Sequence, residues 1–301
     1  MSDVVTARQS EFQRVKLVVN DYVQLMKPGV LTELLITTLG AMLVASDGIP
    51  SVGLVLVTLL GGILTAGGAN VINCYIDRDI DATMNRTKKR ATVTGRMQPR
   101  SALIYGIGIT VAGTLTLGLL VNWLAAGLAL AGNLYYVFIY TLWLKRTTPH
   151  NIVVGGAAGA VPPLVGWAAV TGTLEAPAWI MFAIIFYWTP PHFWALSLLK
   201  MGEYGRANVP MLPVVAGEEE TRRQVFLYTV LLTAVTLLMV PFGMSVLYFV
   251  GSILLCGYFL VLSWQLLQNP SKEKARKTFF YSIWFLTGIF ALMVLDHMIF
   301  S

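Results

Sequence analysis

Long apolar runs separated by short polar segments dominate the chain. A helix that crosses a bilayer needs about 20 predominantly apolar residues, and nine runs approach or exceed that length. These runs lie at residues 29–46, 52–73, 102–120, 123–143, 152–170, 177–199, 226–243, 246–267 and 279–299. Glycines within 61–68 and 155–159 favour close approach between neighbouring helices. The pattern predicts an all-α integral membrane protein with nine transmembrane helices.

The distribution of charge orients these nine spans. With the N-terminus in the cytoplasm, all 21 Lys and Arg residues fall in the N-terminal segment or in cytoplasmic loops. The predicted outer loops and C-terminus carry acidic charges only, at Asp47, Glu175 and Asp296. Since loops rich in Lys and Arg remain on the cytoplasmic side, we expect the N-terminus inside and the C-terminus outside. The predicted organisation is a cytoplasmic segment (1–28) and one transmembrane domain (29–301).

Composition agrees with lipid as the main solvent. Hydrophobic residues make up 56% of the chain and charged residues 12%, against about a quarter charged in soluble domains. The net charge of +6 raises the possibility of a nucleic-acid partner. However, the loop topology and anionic lipid headgroups account for the basic residues. We therefore expect a multi-pass protein of the cell inner membrane that contacts the lipid bilayer and does not bind nucleic acid.

An acidic motif emerges from the end of the second span. Asn73, Asp77 and Asp81 are spaced by four residues, so on a helix they follow one stripe, about 40° apart in succession. Two carboxylates one turn apart with an amide oxygen suit Mg²⁺, which binds few carboxylates together with substrate phosphates. Basic residues follow, including Arg86 and Arg90. The pattern predicts a site for Mg²⁺ and a diphosphate, the alternative being a solvated loop with local ion pairs.

The motif Asn73-x3-Asp77-x3-Asp81 resembles the first aspartate-rich motif of the UbiA-type intramembrane prenyltransferases. The resemblance implies a nine-span UbiA-type bundle in which these residues bind a prenyl diphosphate through Mg²⁺. It also places Tyr140 and Lys145 beside the diphosphate. Lys145 and Arg146 are predicted at the cytoplasmic mouth, where they bind diphosphate or haem propionates or else only anchor the helix.

Further segments narrow the resemblance to the haem-farnesylating members of that family. They are residues 84–90, 140–164 and 187–213. The last one lacks the second aspartate-rich cluster of the quinone-pathway members and offers His192, Glu203 and Arg206 instead. The resemblance implies transfer of a farnesyl group from farnesyl diphosphate to protohaem (haem B), giving haem O, with these three residues on the haem side. It also suggests a haem A synthase or terminal oxidase assembly as partner.

Several alternatives remain open on the sequence alone. One is a prenyltransferase of the same fold that acts on a quinone or chlorophyll precursor. Another is a polytopic transporter with a cation site at the acidic motif, although such sites lie near the membrane midplane. A haem chaperone without catalysis is a third. For His192, a structural hydrogen-bonded histidine competes with a haem-contacting one, because haem iron accepts a histidine ligand readily.

Overall fold

The computed structural model describes residues 2–300, with the side chains of Gln13 and of residues 15–300. Met1 and Ser301, the outer limits of the two predicted segments, lie outside the described residues. Within this range the regular structure is entirely helical, which confirms the predicted class. The α-helices are α1 (Ser2–Leu25), α2 (Pro28–Val44), α3 (Val52–Ile76), α4 (Arg78–Thr83), α5 (Ala91–Thr94), α6 (Pro99–Leu120), α7 (Trp123–Leu134), α8 (Lys145–Thr147), α9 (Asn151–Ala160), α10 (Pro162–Thr171), α11 (Ala176–Arg206), α12 (Leu212–Val215), α13 (Gly217–Leu237), α14 (Val246–Gln268) and α15 (Lys272–Phe300).

Seven helical stretches in the described range are long and apolar enough to cross a membrane, judged by length and composition alone. The pair α1–α2, bent by 53°, makes up to eight if it counts as one span. Each of the nine predicted runs overlaps a helix, but α11, which covers run 177–199, is not among the helices that are apolar enough to cross a membrane. Its polar and proline residues, such as Thr189, Pro190 and His192, lower its apolar character.

Glycines bring α3 and α6 into close contact, as the first of the two glycine-rich stretches predicted. A Cβ added at Gly68 would lie 2.6 Å from the Gly106 carbonyl oxygen, and one at Gly113 would lie 2.8 Å from the Gly61 carbonyl oxygen. Any side chain at these positions would therefore push the two backbones apart. Because α3 carries the acidic motif at its end, this packing holds the helix beneath the motif.

Buried aromatic residues fill the core among α2, α10, α11, α13, α14 and α15. Tyr248, Phe259, Phe285 and Phe290 are almost wholly buried there. The outer faces of the same helices expose large apolar side chains, which include Val246, Leu254 and Trp284. Extended apolar exposure of this kind is typical of a surface that faces a partner or lipid rather than water.

Two of the helical stretches are irregular. Residues Tyr135–Leu144 form a π-helix between α7 and α8, and such segments occur often at functional sites. Helix α11 continues through Pro190 and Pro191, which lack backbone N–H groups and therefore leave two carbonyls of the preceding turn without their helical donors. Both irregular stretches carry residues that the sequence singled out.

Candidate active site at the end of helix α3

The acidic motif keeps its predicted stripe although α3 ends before Asp77. Asp77 joins α3 to α4, and its N–H donates to the Asn73 carbonyl (2.9 Å), while the N–H of Asp81 donates to the Asp77 carbonyl (2.8 Å). Helical hydrogen bonding thus continues through the junction. Asp77 and Asp81 are buried, at 0% and 3% exposure, whereas the side chain of Asp79 is 65% exposed. The two carboxylates of the stripe therefore point into the protein and the third points away.

Each of these three carboxylates has a cationic partner. Lys145 forms an ion pair with Asp77. Arg90 forms one with Asp81, at 2.5 Å between Nη1 and Oδ2. Arg146 donates to both oxygens of Asp79, at 2.7 and 2.8 Å, and its Nη2 lies 3.5 Å from Asp77 Oδ1. The Arg146 hydrogen bonds hold the pKa of Asp79 at about 2. The cluster is therefore a dense set of matched charges.

A regular axial register brings Lys145 to Asp77. The Asn133 side-chain amide donates to the Thr65 carbonyl (2.7 Å), and the Asn73 amide donates to Thr141 Oγ1 (3.0 Å). In these pairs, as in Lys145–Asp77, the partners are 68 residues apart. Helix α3 and the helical stretch 123–147 consequently run side by side in the same direction, and the π-helical segment leads into Lys145 and Arg146 of α8 beside the end of α3.

A tight loop between α4 and α5 returns Arg90 to the motif. The hydroxyl of Thr87 donates to the Asp81 carbonyl (3.0 Å), and the N–H of Arg90 donates to the Thr87 carbonyl (2.9 Å). Arg86 in the same loop is exposed, and in the described part of the chain no hydrogen bond or ion pair joins it to Asp77 or Asp81. It lies close enough to Tyr204 that its charge partly opposes the pKa increase that burial causes in that tyrosine.

Lys27 is a member of the cluster that the sequence analysis missed. Its Nζ donates to Asn73 Oδ1 (2.7 Å) and to the Tyr136 hydroxyl (3.4 Å). The sequence analysis counted Lys27 only among the charges that orient the chain. The signal that was available is its position directly before Pro28, at the start of an apolar run.

The bend between α1 and α2 holds Lys27 in place. Lys27 has a φ of 58°, a left-handed conformation that is unusual for a non-glycine residue and occurs often at functional sites. The preceding turn is fastened to α3, because the side-chain amide of Asn70 donates to the Met26 carbonyl (3.0 Å). Helix α3 thus supplies both the acidic stripe and the support for its opposing cation.

The arrangement of the three side chains differs in one respect from the predicted Mg²⁺ site. The Asn73 amide directs its oxygen to Lys27 and its nitrogen to Asp77 Oδ2 (2.8 Å), so the amide oxygen is not grouped with the two carboxylates as expected. An ammonium needs an acceptor and a carboxylate needs a donor, and this orientation serves both. The described residues contain no group of three or more His, Cys, Asp or Glu side chains suited to a metal. Two buried carboxylates and a nearby amide oxygen still match the hard-oxygen preference of Mg²⁺.

Tyr140 lies directly before Thr141 in the π-helical segment, five residues before Lys145. Its ring stacks on Tyr136, with centroids 5.3 Å apart, and packs directly over Gly155, where a Cβ would have no room. Tyr136 in turn contacts Lys27. The tyrosine pair therefore forms an aromatic wall beside the charge cluster.

His192, Glu203 and Arg206, which the sequence analysis assigned to the haem side, are spread along one helix end. They lie on one helix, α11, where eleven residues correspond to about 16 Å. Glu203 pairs with Lys200 (3.0 Å) and accepts the N–H of Asn85 (3.1 Å) in the loop after the acidic motif, and Arg206 is exposed. Glu203 is thus tied to the charge-cluster side. His192 is buried among aromatic rings, with its Nδ1 2.7 Å from Ser282 Oγ.

Comparisons with known proteins identify the family. A family model described as the UbiA prenyltransferase family matches residues 34–286. The chain belongs to this family. Solved structures agree on the fold, among them one of a digeranylgeranylglyceryl phosphate synthase, with a TM-score of 0.77 at 18% identity over 93% of this chain and 98% of that one. A UbiA homologue from Archaeoglobus fulgidus bound to DMAPP and Mg²⁺ has a TM-score of 0.70 at 17% identity, covering 91% and 99%.

Closer relatives in sequence carry the name protoheme IX farnesyltransferase. The protein from Gloeobacter violaceus is 50% identical over 285 residues, which cover 94% of this chain and 93% of that protein. The one from Synechocystis sp. is 48% identical, covering 93% and 90%. The one from Roseiflexus sp. is 49% identical, covering 93% of this chain but 53% of that protein. This UbiA family member therefore spans about half the length of some relatives and about nine-tenths of others.

Proposed function

We propose that the protein transfers the farnesyl group of farnesyl diphosphate to a vinyl group of protohaem, with addition of water, to give haem O and diphosphate. The observation that carries this proposal is the identity of 48–50%, over more than nine-tenths of this chain, with proteins named protoheme IX farnesyltransferase. Family membership supports the prenyl-transfer chemistry, and the matched charge cluster supports a diphosphate site. Haem O would then pass to a haem A synthase or a terminal oxidase assembly.

The charge cluster would bind the diphosphate end of the substrate. Asp77 and Asp81 would hold Mg²⁺, and a turn of the Asn73 amide away from Lys27 would add its oxygen. When bound, the metal supplies Lewis-acid stabilisation of diphosphate charge. Lys145 and Arg90 are paired with the two buried carboxylates, so they stand within reach of phosphate oxygens bound there. Arg146 and Arg86 at the exposed rim and Tyr140 in the aromatic wall would complete the set. Arg and Lys contacts of this kind neutralise phosphate oxygens strongly.

The reaction needs charge stabilisation and exclusion of water. As the allylic C–O bond of farnesyl diphosphate breaks, both electrons leave with the diphosphate, and Lys145, Arg90 and Lys27 offset that charge. The vinyl π electrons then form the new C–C bond with the farnesyl cation. Water adds to the resulting porphyrin-side cation and releases a proton, which yields the hydroxyl. Before that step, aromatic surfaces such as Tyr136 and Tyr140 limit premature capture of the farnesyl cation by water.

The proposed setting is the cell inner membrane, crossed nine times, with the N-terminus and the charge cluster on the cytoplasmic side. The support is the placement of all 21 Lys and Arg residues and the positive-inside rule. Reporter fusions after residues 48, 122, 174 and 244 should be external, and fusions after 90, 148, 215 and 274 cytoplasmic. Two or more inverted results would contradict the nine-span topology.

Mass spectrometry of extracted haems tests the activity. Membranes that contain the protein, supplied with haem B and farnesyl diphosphate, should accumulate haem O, and membranes with Asp77→Asn should not. A farnesylated quinone or chlorophyll precursor without haem O would indicate the other branch of the family. If no prenylated product forms with either haem B or a quinone or chlorophyll precursor, the result would contradict an enzymatic role and favour transport or haem carriage.

A further inference from the structure

His192 lies in an uncharged aromatic pocket between α11 and α15. Its ring stacks on Trp188, with centroids 4.4 Å apart and an interplanar angle of 24°, and it also contacts Phe193 and Phe279. In the described part of the chain no acidic or basic side chain forms a hydrogen bond or an ion pair with the ring. A buried charge without a partner is costly, so the imidazole is neutral and has one N–H donor and one bare nitrogen.

The hydrogen bonds of Ser282 decide which nitrogen carries the proton. Ser282 Oγ lies 2.6 Å from the Phe279 carbonyl oxygen and 2.7 Å from His192 Nδ1. A carbonyl oxygen has no proton to give, so at 2.6 Å the single hydroxyl hydrogen of Ser282 must point to Phe279. The hydroxyl can then only accept from His192. Nδ1 therefore carries the proton, and Nε2 keeps its lone pair.

The lone pair of Nε2 reaches accessible space. Nε2 has no hydrogen-bond partner among the described residues, yet it is not among the fully buried polar atoms that lack one. His192 as a whole is 8% exposed, so a small edge of the ring is open. The imidazole is uncharged, the pocket around it is uncharged, and the Nε2 lone pair is accessible. Such a nitrogen can donate to a Lewis acid, and haem iron accepts a histidine ligand.

Ser282 is also the point where α11 is fastened to α15. The indole Nε1–H of Trp188 donates to the Ser282 carbonyl (2.7 Å), four residues before His192 donates to the hydroxyl of the same serine. The stacked pair Trp188–His192 thus meets one residue of α15 through two hydrogen bonds. This fixes the plane of the imidazole as well as its proton.

We infer that Ser282 is a positioning residue that sets the His192 tautomer and ring plane, so that His192 Nε2 is presented to the iron of a bound haem. The haem part of this inference rests on the proposed function, whereas the tautomer part does not. A partner that takes the second N–H of a metal-ligating histidine commonly changes metal affinity by about 10- to 100-fold when it is removed. Here that partner is the Ser282 hydroxyl, which itself donates to the Phe279 carbonyl of α15.

The tautomer can be observed without any substrate. The chain has three histidines, so magic-angle-spinning NMR of protein labelled with 15N-histidine in lipid bilayers gives few signals. The difference from His192→Gln identifies those of His192. The expected result is a protonated Nδ1 and an unprotonated Nε2, and Ser282→Ala should move the signals toward a mixture of tautomers. An Nε2-protonated His192 in the unmodified protein would overturn the inference.

Haem titration followed by absorbance tests the second part. Ser282→Ala should weaken haem binding by about tenfold or more and alter the Soret band, while binding of a non-hydrolysable farnesyl diphosphate analogue stays unchanged. Ser282→Thr retains a hydroxyl and should restore both the tautomer and the haem affinity. Ser252→Ala is the matched control, because Ser252 is equally buried and donates to the carbonyl three residues before it (3.0 Å) without contacting a histidine.

Three outcomes separate the possible failures. Unchanged NMR signals and haem affinity in Ser282→Ala would overturn the role of the serine and leave farnesyl transfer untouched. The same loss in Ser252→Ala would show a general packing effect and overturn it as well. If the unmodified protein makes haem O, but haem bound to it and haem bound to His192→Gln have the same Soret band, the iron contact is wrong while the proposed function stands.

Discussion

The charge cluster at the end of α3 and the His192 pocket between α11 and α15 use opposite means to order polar groups. The cluster pairs three carboxylates with Lys145, Arg90 and Arg146 and draws Lys27 from the α1–α2 bend. Among the described residues no charged side chain hydrogen-bonds to His192, and the pocket depends on two hydrogen bonds to Ser282. Charge attraction changes little when the charged groups move by a small distance. The tautomer and ring plane of His192 depend instead on the direction of its hydrogen bonds. We therefore expect the first region to bind substrate strongly and the second to determine orientation.

The largest effect is expected at the buried carboxylates. Asp77→Asn and Asp81→Asn should each lower turnover by about 100-fold or more, because each leaves a cation without its partner and removes a charged oxygen from the Mg²⁺ site. Initial rates of haem O formation measure this. Glu273→Gln, which neutralises a carboxylate in an exposed ion pair on α15, is the control. A rate near that of the unmodified protein for Asp77→Asn would exclude the cluster from the reaction.

His192→Ala should separate the two regions. We expect turnover to fall about a hundredfold through lost positioning, with weaker haem binding by absorbance and unchanged binding of the diphosphate analogue by calorimetry. His150→Ala, at an exposed histidine, should have little effect on either. Weaker analogue binding with normal haem binding would assign His192 to the diphosphate side. Unchanged activity would leave it a structural histidine.

Lys27→Met should weaken analogue binding by about tenfold, since a hydrogen bond to a charged group contributes about 1.5–3 kcal/mol. Lys27→Gly tests whether charge or backbone matters, because glycine adopts the left-handed conformation freely but has no ammonium. Both variants should bind the analogue equally weakly in calorimetry. If analogue binding were normal in Lys27→Gly and weak in Lys27→Met, the left-handed backbone rather than the ammonium charge would be needed for binding.

Asp79→Asn should have the smallest effect, a change in turnover of less than about fivefold, because exposed ion pairs contribute about 0–1 kcal/mol. Since Arg146 lowers the pKa of Asp79 from 3.8 to about 2, the pair contributes fully above pH 3.8 and is lost only as the pH falls through about 2. Activity between pH 5 and pH 8 should therefore show no inflection from this group. If Asp79→Asn were more damaging than Asp77→Asn, the orientation of the stripe described above would be wrong.

Much of the architecture could be predicted because it is local. Hydrophobic runs located the helices, and the spacing of four predicted that Asp77 and Asp81 share a side. The glycines within 61–68 predicted the close packing of α3 against a neighbouring helix. Lys27 was missed because its role depends on a bend that Asn70 holds from another helix. His192 and Glu203 are close in sequence but lie about 16 Å apart along α11, because each residue of a helix adds about 1.5 Å to its length.

The helical class, the positions of the apolar runs and the register of the acidic stripe follow from periodicity within a few turns, so the amino-acid sequence is enough to predict them. Which charged groups meet, and which nitrogen of His192 carries the proton, depend on how the helices pack. The contacts Asp77–Lys145 and His192–Ser282 join residues 68 and 90 positions apart. Such contacts depend on the axial register of packed helices, which is set by the glycine contacts and side-chain interlocking of the whole bundle, and no local pattern encodes that register.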